Sequence, residues 1–346
     1  MSHMLNEILE QPQAWAELLD HEWRNIEAIG SELRRRDPRH VVMAARGTSD
    51  NAARYGQYVL GAWNGLPVGL ATPSLYTLYD RPPRTAGALV IGISQSGASP
   101  DVVEVLAESR RQGATTLSIT NDANSPLAAA SEFVIPLHAG VERAVAATKT
   151  YTGELLALAL LSIALEGDSR RLVEARALPW AAERALKAVR IPAKVTAGRL
   201  CGRNACLVIS RGYNYATAFE TALKIKELAY AWAEPYSAAD FEHGPIALLE
   251  AGLPAVVIAP SGAAYDGMTA LIQRLQEGGA DLVIISDRAD APLAAAHVLR
   301  LPPGIPEWLS PLLCVLPGQL LAHDWAVAKG LDPDQPRSLS KVTLTL

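Results

Sequence analysis

Residues 91–101 read Ile-Gly-Ile-Ser-Gln-Ser-Gly-Ala-Ser-Pro-Asp, and this stretch decides the fold. Its first residues end an apolar run typical of a buried strand, and its last residues begin a helix that extends to about Gln112. Gly97 permits a tight turn, Ser99 is a favoured N-cap residue, and Pro100 suits the first helical position. The stretch therefore predicts a strand, a tight turn and a helix in immediate succession.

The same turn carries four polar side chains that predict a phosphate-binding site. They belong to Ser94, Gln95, Ser96 and Ser99. In an open parallel sheet this turn lies at the carboxyl end of a strand, where the N–H groups and dipole of the next helix favour an anion. The alternative is an ordinary turn whose serines only cap the helix.

Strand-like runs alternate with helical apolar spacing along the chain, and this pattern predicts an α/β protein with parallel sheets. We place the strands at 40–45, 88–93, 115–119 and 133–137, and again at 205–209, 255–258, 282–285 and 298–301. The halves repeat at a constant offset of 165 residues, because Arg46-Gly47 corresponds to Arg211-Gly212 and Ser96-Gly97 to Ser261-Gly262. The chain is therefore predicted to contain two copies of one domain.

The predicted organisation has five parts. They are a helical segment at 1–36, a first domain at 37–170, a helical connection at 171–199, a second domain at 200–330 and a tail at 331–346. We expect the helical connection to be interrupted around Pro179 and Pro192, since proline breaks the interior of a helix.

The composition excludes several classes of protein and partner. Apolar residues make up 49% and charged residues 19% of the 346 residues, which is typical of a globular protein and not of a disordered one. A net charge of −5 without a basic tail argues against nucleic acid and membranes, so a small-molecule partner is expected. Three cysteines without CxxC spacing indicate neither a disulfide framework nor a zinc site. We expect a cytoplasmic protein that needs no metal or other cofactor.

A second hydroxyl-rich turn follows the preceding predicted strand. It reads Arg46-Gly47-Thr48-Ser49-Asp50, and the two turns are expected to converge on one edge of the sheet. Either Ser49 or Asp50 is also expected to cap the following helix. In the second half the equivalent turns contain far fewer hydroxyl groups, so we assign phosphate binding to the first domain.

Three further segments carry candidate acid–base groups. On the helix at 219–230, Lys224 and Glu227 share a face, and a carboxylate beside an ammonium is a plausible general base. The alternative is a solvated charged stripe that includes Glu220. The segment 238–245 is predicted to be a loop and carries His243, a side chain that exchanges protons near neutral pH. The tail at 336–342 contains Lys341, with a frayed terminus as the alternative.

Together these segments resemble the double sugar-isomerase (SIS) domain family, in particular the isomerase half of glutamine–fructose-6-phosphate aminotransferase and the SIS-type glucosamine-6-phosphate deaminases. The resemblance covers about residues 40–346. It implies two tandem SIS domains, each a flavodoxin-like α/β/α sandwich with a parallel sheet. The matching motifs are Gly47-Thr-Ser49, Ser94-Gln-Ser-Gly-x-Ser99, Ala222-Leu-Lys-Ile-Lys-Glu227, Glu242-His-Gly-Pro245 and Pro336-Arg-x-Leu-x-Lys341.

The resemblance also implies roles for the candidate residues. Ser94, Gln95, Ser96 and Ser99 would hold the sugar phosphate, and Thr48 and Ser49 would lie near the sugar. Glu227 would move a proton between C1 and C2, and Lys224 would stabilise the oxygen charge that develops. His243, often supplied by the neighbouring subunit in the family, would open the sugar ring. Lys341 would take part in ring opening or imine chemistry.

Two departures from the aminotransferase pattern affect the expected reaction. Val145-Ala-Ala147 has alanine where the aminotransferase has a serine that contacts the sugar, so the contacts of Val145 and Ala147 need not carry over. The first cysteine is Cys201, so no glutaminase nucleophile precedes the first domain and glutamine is not expected to supply nitrogen within this chain.

The expected function is therefore a glucosamine-6-phosphate deaminase that yields fructose 6-phosphate and ammonia. The alternatives are a synthase-like isomerase without a glutaminase domain, a galactosamine-6-phosphate deaminase and a fructosamine-6-phosphate deglycase. A non-catalytic phosphosugar sensor is the alternative from another class. The resemblance also implies a homodimer.

Overall fold

The computed structural model describes residues 2–168, 170–290 and 296–341. The first half of the chain forms a five-stranded parallel sheet with strand order β2-β1-β3-β4-β5. The strands are β1 (Val41–Ala44), β2 (Val68–Leu70), β3 (Leu89–Ile93), β4 (Thr115–Thr120) and β5 (Phe133–Pro136). The helices are α1 (His3–Leu9), α2 (Gln11–Arg36), α3 (Gly47–Asn64), α4 (Ser74–Thr77), α5 (Pro100–Arg111), α6 (Pro126–Ala130), α7 (Lys149–Glu166) and α8 (Arg170–Arg176).

The second half repeats this architecture with a parallel sheet of order β10-β9-β8-β6-β7. Its strands are β6 (Ala205–Ser210), β7 (Trp232–Ser237), β8 (Pro254–Ile258), β9 (Asp281–Ser286) and β10 (Ala296–Arg300). Its helices are α9 (Leu178–Leu200), α10 (Tyr215–Ala229), α11 (Ala238–Glu242), α12 (Tyr265–Glu277) and α13 (Ser310–Ala328).

The strand order confirms the predicted fold class. Both sheets have the flavodoxin order, in which the chain adds strands on one side and then on the other side of its first strand. All eight predicted strands are present, with ends shifted by at most two residues. The edge strands β2 and β7 were not predicted. They occupy equivalent places in the two sheets, so the duplication extends to them.

Two helices explain how a chain with few aromatic residues builds its cores. Helix α7 is buried from Lys149 to Ala164 and packs against α2 and α3, while α13 is buried from Ser310 to Ala326 and packs against α10. Leucine and alanine supply most of these contacts, because small side chains allow close packing. Among the helices of the described residues, none is long and apolar enough to cross a membrane.

The chain divides into two compact units. The first-repeat unit contains Gln11–Glu142, Lys149–Leu178 and Ser340–Leu346, and the second-repeat unit contains Met1–Glu10, Arg143–Thr148 and Pro179–Leu339. Residues 342–346 of the predicted tail lie outside the described residues.

The interruption predicted around Pro179 is confirmed, because α8 ends at Arg176 and α9 begins at Leu178. Pro179 is the second residue of α9, where its missing N–H is not needed. Two other local predictions were wrong, and the first is the interruption around Pro192, which lies inside α9. The lost hydrogen bond at Pro192 is offset by the buried face of α9, which includes Val189 and Ala193. The segment predicted as a loop at 238–245 begins with the helix α11, because Ser237 and two alanines favour a helix start before Gly244.

Candidate active site

In the first sheet, the direction in which the chain adds strands reverses between β1 and β3, and the two hydroxyl-rich turns follow these two strands. Flavodoxin-like sheets bind ligands outside the carboxyl ends of the strands at this position. We call residues 94–99 the cradle. Its turn is tight, because the Gly97 N–H donates to both the main-chain and the side-chain oxygen of Ser94, at 3.2 Å each. Gly97 has a φ of +61°, and a Cβ there would collide with Ser125, so this turn requires glycine.

The serine hydroxyls of the cradle form hydrogen bonds within the turn itself. Ser99 occupies the N-cap position of α5, as predicted, but its hydroxyl makes no capping hydrogen bond within the described part of the chain. The Ser99 Oγ lies instead 3.4 Å from the Ser94 Oγ. Ser96 Oγ accepts from the Ala98 N–H at 3.3 Å, and Gln95, Ser96 and Ser99 are half-buried at the edge of the sheet. The four predicted phosphate ligands therefore lie together in one turn at a helix N-terminus.

The turn after β1 is tied to the cradle by a residue that the site prediction did not include. Arg46 Nε donates to Asp101 Oδ2 at 2.6 Å, and the Asp101 side chain is fully buried in the first turn of α5. Arg46 occupies the N-cap position of α3 and the helix begins at Gly47. The prediction that Ser49 or Asp50 caps α3 was therefore wrong. Both residues lie inside its first turn.

Thr48 and Ser49 differ in their surroundings. Thr48 is half-buried, whereas Ser49 is buried and donates to Glu154 Oε1 on α7 at 2.8 Å. The carboxylate of Glu154 therefore fixes the orientation of the Ser49 hydroxyl. The sequence analysis did not identify Glu154, because it lies in a mostly apolar helix and no motif includes it.

An open cleft of about 640 Å³ adjoins the cradle within the first-repeat unit. It is lined by Gln95, Asn121, Ala123, Pro136, His138, Gly140, Val141 and Glu142. Lys341 Nζ lies 2.7 Å from Glu142 Oε2, so the C-terminal segment is held to this unit as far as Lys341 and is not frayed there.

The equivalent turn of the second repeat is closed by the protein's own carboxylates. Glu307 Oε2 accepts from the Ala263 N–H at 2.8 Å, and Asp287 Oδ1 accepts from the Ser261 N–H at 2.6 Å. A Cβ at Gly262 would collide with the Glu307 side chain. Negative charge therefore already occupies the place where the first repeat offers hydroxyls and N–H groups to an anion.

The predicted acid–base pair lies on α10 in the second-repeat unit. Lys224 is fully buried, with its Nζ 2.5 Å from Glu227 Oε2 and 3.4 Å from Glu220 Oε1. Burial alone lowers the pKa of Lys224, but the two carboxylates outweigh it and raise the pKa above its ordinary value. The side chain of Glu227 is 20% exposed, whereas that of Glu220 is fully buried. These residues are therefore not a solvated stripe: a buried ammonium with a raised pKa lies beside a carboxylate that solvent reaches.

The other candidate residues of the second-repeat unit are His243, Val145 and Ala147. His243 ends α11 with an exposed side chain, beside Gly244 at a φ of +153°. Val145 and Ala147 are half-buried in the segment Arg143–Thr148. Glu7 accepts hydrogen bonds from the N–H groups at the start of this segment, and Gln319 donates to the Thr148 carbonyl at 3.4 Å at its end.

The two flavodoxin-order sheets define the class of α/β proteins that carry two tandem copies of one domain. One copy has an open turn rich in hydroxyl groups, and the other has a buried lysine–glutamate pair on α10. The chain matches the SIS domain model over residues 36–164 and 200–329, and it belongs to this family.

Its relatives include the glutamine–fructose-6-phosphate aminotransferase (isomerizing) of Thermus thermophilus, which is 37% identical over 98% of this chain and 58% of its own length. The chain thus spans a little over half the length of the curated relatives it matches.

Solved structures agree with this assignment. A Silicibacter pomeroyi protein provisionally described as a phosphosugar isomerase is 32% identical, with a TM-score of 0.88 over 96% of this chain and 100% of its own. The C-terminal domain of the Francisella tularensis glucosamine-fructose-6-phosphate aminotransferase has 28% identity and a TM-score of 0.88 over 97% of this chain and 98% of its own. The glucosamine-6-phosphate deaminase of Thermotoga maritima shares the fold at 21% identity, with a TM-score of 0.81 over 99% of this chain and 100% of its own.

Proposed function

We propose that this protein interconverts an amino-aldose 6-phosphate and a ketose 6-phosphate, with glucosamine 6-phosphate giving fructose 6-phosphate and ammonia. The observation that carries the proposal is the contrast between the two repeats. The cradle offers hydroxyls and N–H groups at a helix N-terminus, whereas Glu307 and Asp287 fill the equivalent turn. One phosphate-binding turn per chain is what a monophosphorylated sugar requires.

The acid–base residues suit the proton transfers of such a reaction. The Glu227 carboxylate would remove the C2 proton of the open-chain aldehyde and return it to C1, while one proton of the C2 amine passes to O1. The net change converts the amino aldehyde into a ketose imine. Addition of one water to this imine gives fructose 6-phosphate and releases ammonia. The Lys224 ammonium would stabilise the negative charge on the substrate oxygen during this transfer, because its carboxylate partners keep it protonated.

Thr48 and Ser49 would lie near the sugar, His243 would open its ring, and Lys341 would act at its carbonyl end. Val145 and Ala147 would border the substrate through a backbone segment fixed at both ends. These roles follow from the family resemblance together with the positions described above. We also propose a homodimer, which light scattering after size-exclusion chromatography would test.

Two kinds of similar protein, named for opposite reaction directions, support the choice of an amino sugar. The aminotransferases that match at 37% identity or less are named for the synthesis direction, and the structural neighbour from Thermotoga maritima is named for deamination. With free ammonia these are opposite directions of one reaction. We propose the deaminase, with a synthase-like isomerase without a glutaminase domain as the alternative.

The test is incubation of the protein with glucosamine 6-phosphate, with coupled assays for ammonia and fructose 6-phosphate. Glu227→Gln should lower kcat by about 10²- to 10⁴-fold and leave substrate affinity unchanged, because it removes a general base without altering the cradle. Glu234→Gln is the matched control, since Glu234 is exposed on β7 of the same unit.

The outcomes separate the alternatives. Turnover of galactosamine 6-phosphate or of a fructosamine 6-phosphate in place of glucosamine 6-phosphate would reassign the substrate. A sugar phosphate that raises the thermal midpoint but is never consumed would favour a sensor. Full activity of Glu227→Gln would remove Glu227 from the mechanism.

A further inference from the structure

Lys341 is held by a buried carboxylate, Glu142, that the sequence motifs did not single out. The side chain of Glu142 is fully buried, whereas that of Lys341 is 25% exposed. Both residues belong to the first-repeat unit, and their contact joins positions far apart in the sequence. A buried carboxylate without compensating partners strongly destabilises a fold. The contacts of Glu142 therefore matter for stability as well as for the position of Lys341.

The carboxylate of Glu142 is also held by a partner within the folded unit. Thr150 donates to it twice, from its N–H to Oε1 at 3.2 Å and from its hydroxyl to Oε2 at 2.8 Å. Thr150 lies in the first turn of α7, where the helix dipole favours a negative charge. Glu142 therefore has contacts within the folded unit that do not depend on Lys341, which belongs to the C-terminal segment.

The docking place lies at the cleft beside the cradle. Glu142 lines this cleft together with Gln95, which belongs to the cradle. Lys341 is thus bound to a residue that shares the cleft with a proposed phosphate ligand. Without the carboxylate, the charged end of a long flexible side chain would have many positions open to it.

We propose that Glu142 is a positioning residue that docks Lys341 at the substrate cleft. The inference rests on the proposed function for its catalytic consequence, but the docking itself does not need turnover. In this role Glu142 does not touch the substrate, and its effect on the reaction passes through Lys341.

The docking is tested by lysine labelling. The protein is treated with limiting acetic anhydride, and acetylation of Lys341 is followed by peptide mass spectrometry. We expect Lys341 to react about fivefold faster in Glu142→Gln than in the wild type, as loss of a partly exposed ion pair implies. The matched control is Glu132→Gln, because Glu132 pairs with Arg36 at 2.6 Å elsewhere in the same unit. Equal Lys341 rates in the wild type and Glu142→Gln would overturn the proposal.

The catalytic consequence is tested by a double-mutant cycle on glucosamine 6-phosphate turnover. Glu142→Gln should lower kcat by about tenfold or more and change KM by less than about threefold, because it misplaces one group without altering the cradle. In a Lys341→Met background the same substitution should change kcat by less than about twofold, since nothing remains to be positioned. An equal loss of kcat in both backgrounds would overturn the positioning role.

Glu142→Asp keeps the test valid if Glu142→Gln does not fold. Glu142→Asp keeps the charge and withdraws it by about one carbon–carbon bond, ~1.5 Å, so Lys341 labelling should rise in it as well. Absence of turnover in the wild type would refute the proposed function, whereas the labelling result would still decide whether Glu142 docks Lys341.

Discussion

Gly97→Ala is the sharpest test of the cradle. The φ of +61° places an alanine in the left-handed region, which costs about 1 kcal/mol. The new Cβ would also collide with the Ser125 side chain and lie 2.9 Å from Thr120 Oγ1. Ser125 cannot simply move, because its Oγ caps α6 by accepting from the Ala128 N–H, and loss of such a cap costs about 1 kcal/mol. With about 1 kcal/mol for the remaining overpacking, we expect a loss of about 3 kcal/mol in the free energy of unfolding.

Gly113→Ala separates strain from collision. Gly113 follows the other end of α5 and has a φ of +84°, but among the described residues nothing lies within 4 Å of a Cβ built there. This variant should therefore lose only the conformational term of about 1 kcal/mol. The difference of about 2 kcal/mol between the two variants measures the close packing of the cradle turn.

The assay combines urea unfolding, followed by circular dichroism, with calorimetric titration of glucosamine 6-phosphate. Gly97→Ala should bind the sugar phosphate at least about tenfold more weakly, because a shift of the turn moves the hydroxyls off the phosphate. Gly113→Ala should bind like the wild type. Equal stability losses in the two variants, or unchanged affinity of Gly97→Ala, would refute the reasoning.

Three further expectations concern the second-repeat unit. Lys224→Met leaves the buried carboxylate of Glu220 without its ammonium, so urea unfolding should show a loss of about 3–5 kcal/mol; a loss below about 1 kcal/mol would contradict the buried pair. Because the pKa of Lys224 is raised in the folded protein, the contribution of Lys224 to stability is complete below its ordinary pKa of 10.5. That contribution is lost as pH rises through the folded pKa. In urea unfolding above pH 10.5, the wild type should therefore lose more stability with rising pH than Lys224→Met. Glu307→Ala removes the acceptor of the Ala263 N–H just before α12 and should lower stability by about 1 kcal/mol. Glu277→Ala, at the exposed C-terminal end of α12, should not lower it. Similar thermal midpoints for both variants would argue against the closing role of Glu307.

The sequence predicts a strand most clearly where it contains a continuous apolar run. A central strand of a parallel sheet is buried on both faces, and a run such as that of β3, whose five residues are all buried, makes this visible in the residues themselves. The edge strands β2 and β7 lack that signal, whereas the opposite edge strands, β5 and β10, were predicted. Strand β2 has three residues with Gly69 at its centre, and β7 contains Pro235, so they form strands only because a neighbouring strand offers hydrogen bonds.

The acid–base helix shows the same limit in its side chains. The spacing of Lys224 and Glu227 predicts a shared helix face, which local geometry guarantees. It did not distinguish a solvated stripe from a buried pair. That distinction depends on tertiary packing: α13 packs along α10, and Lys224 and Glu220 are both fully buried.

The sequence by itself determined the duplication, eight of the described strands and the cradle turn, because each depends on residues within short segments and on their local conformation. Only the tertiary structure decided which copy is open to an anion, since Glu307 reaches the turn at Ala263 from a segment 44 residues away. It likewise brought Glu142 to Lys341, across 199 residues. Such contacts depend on how helices and strands pack in three dimensions, and no local pattern in the chain encodes them.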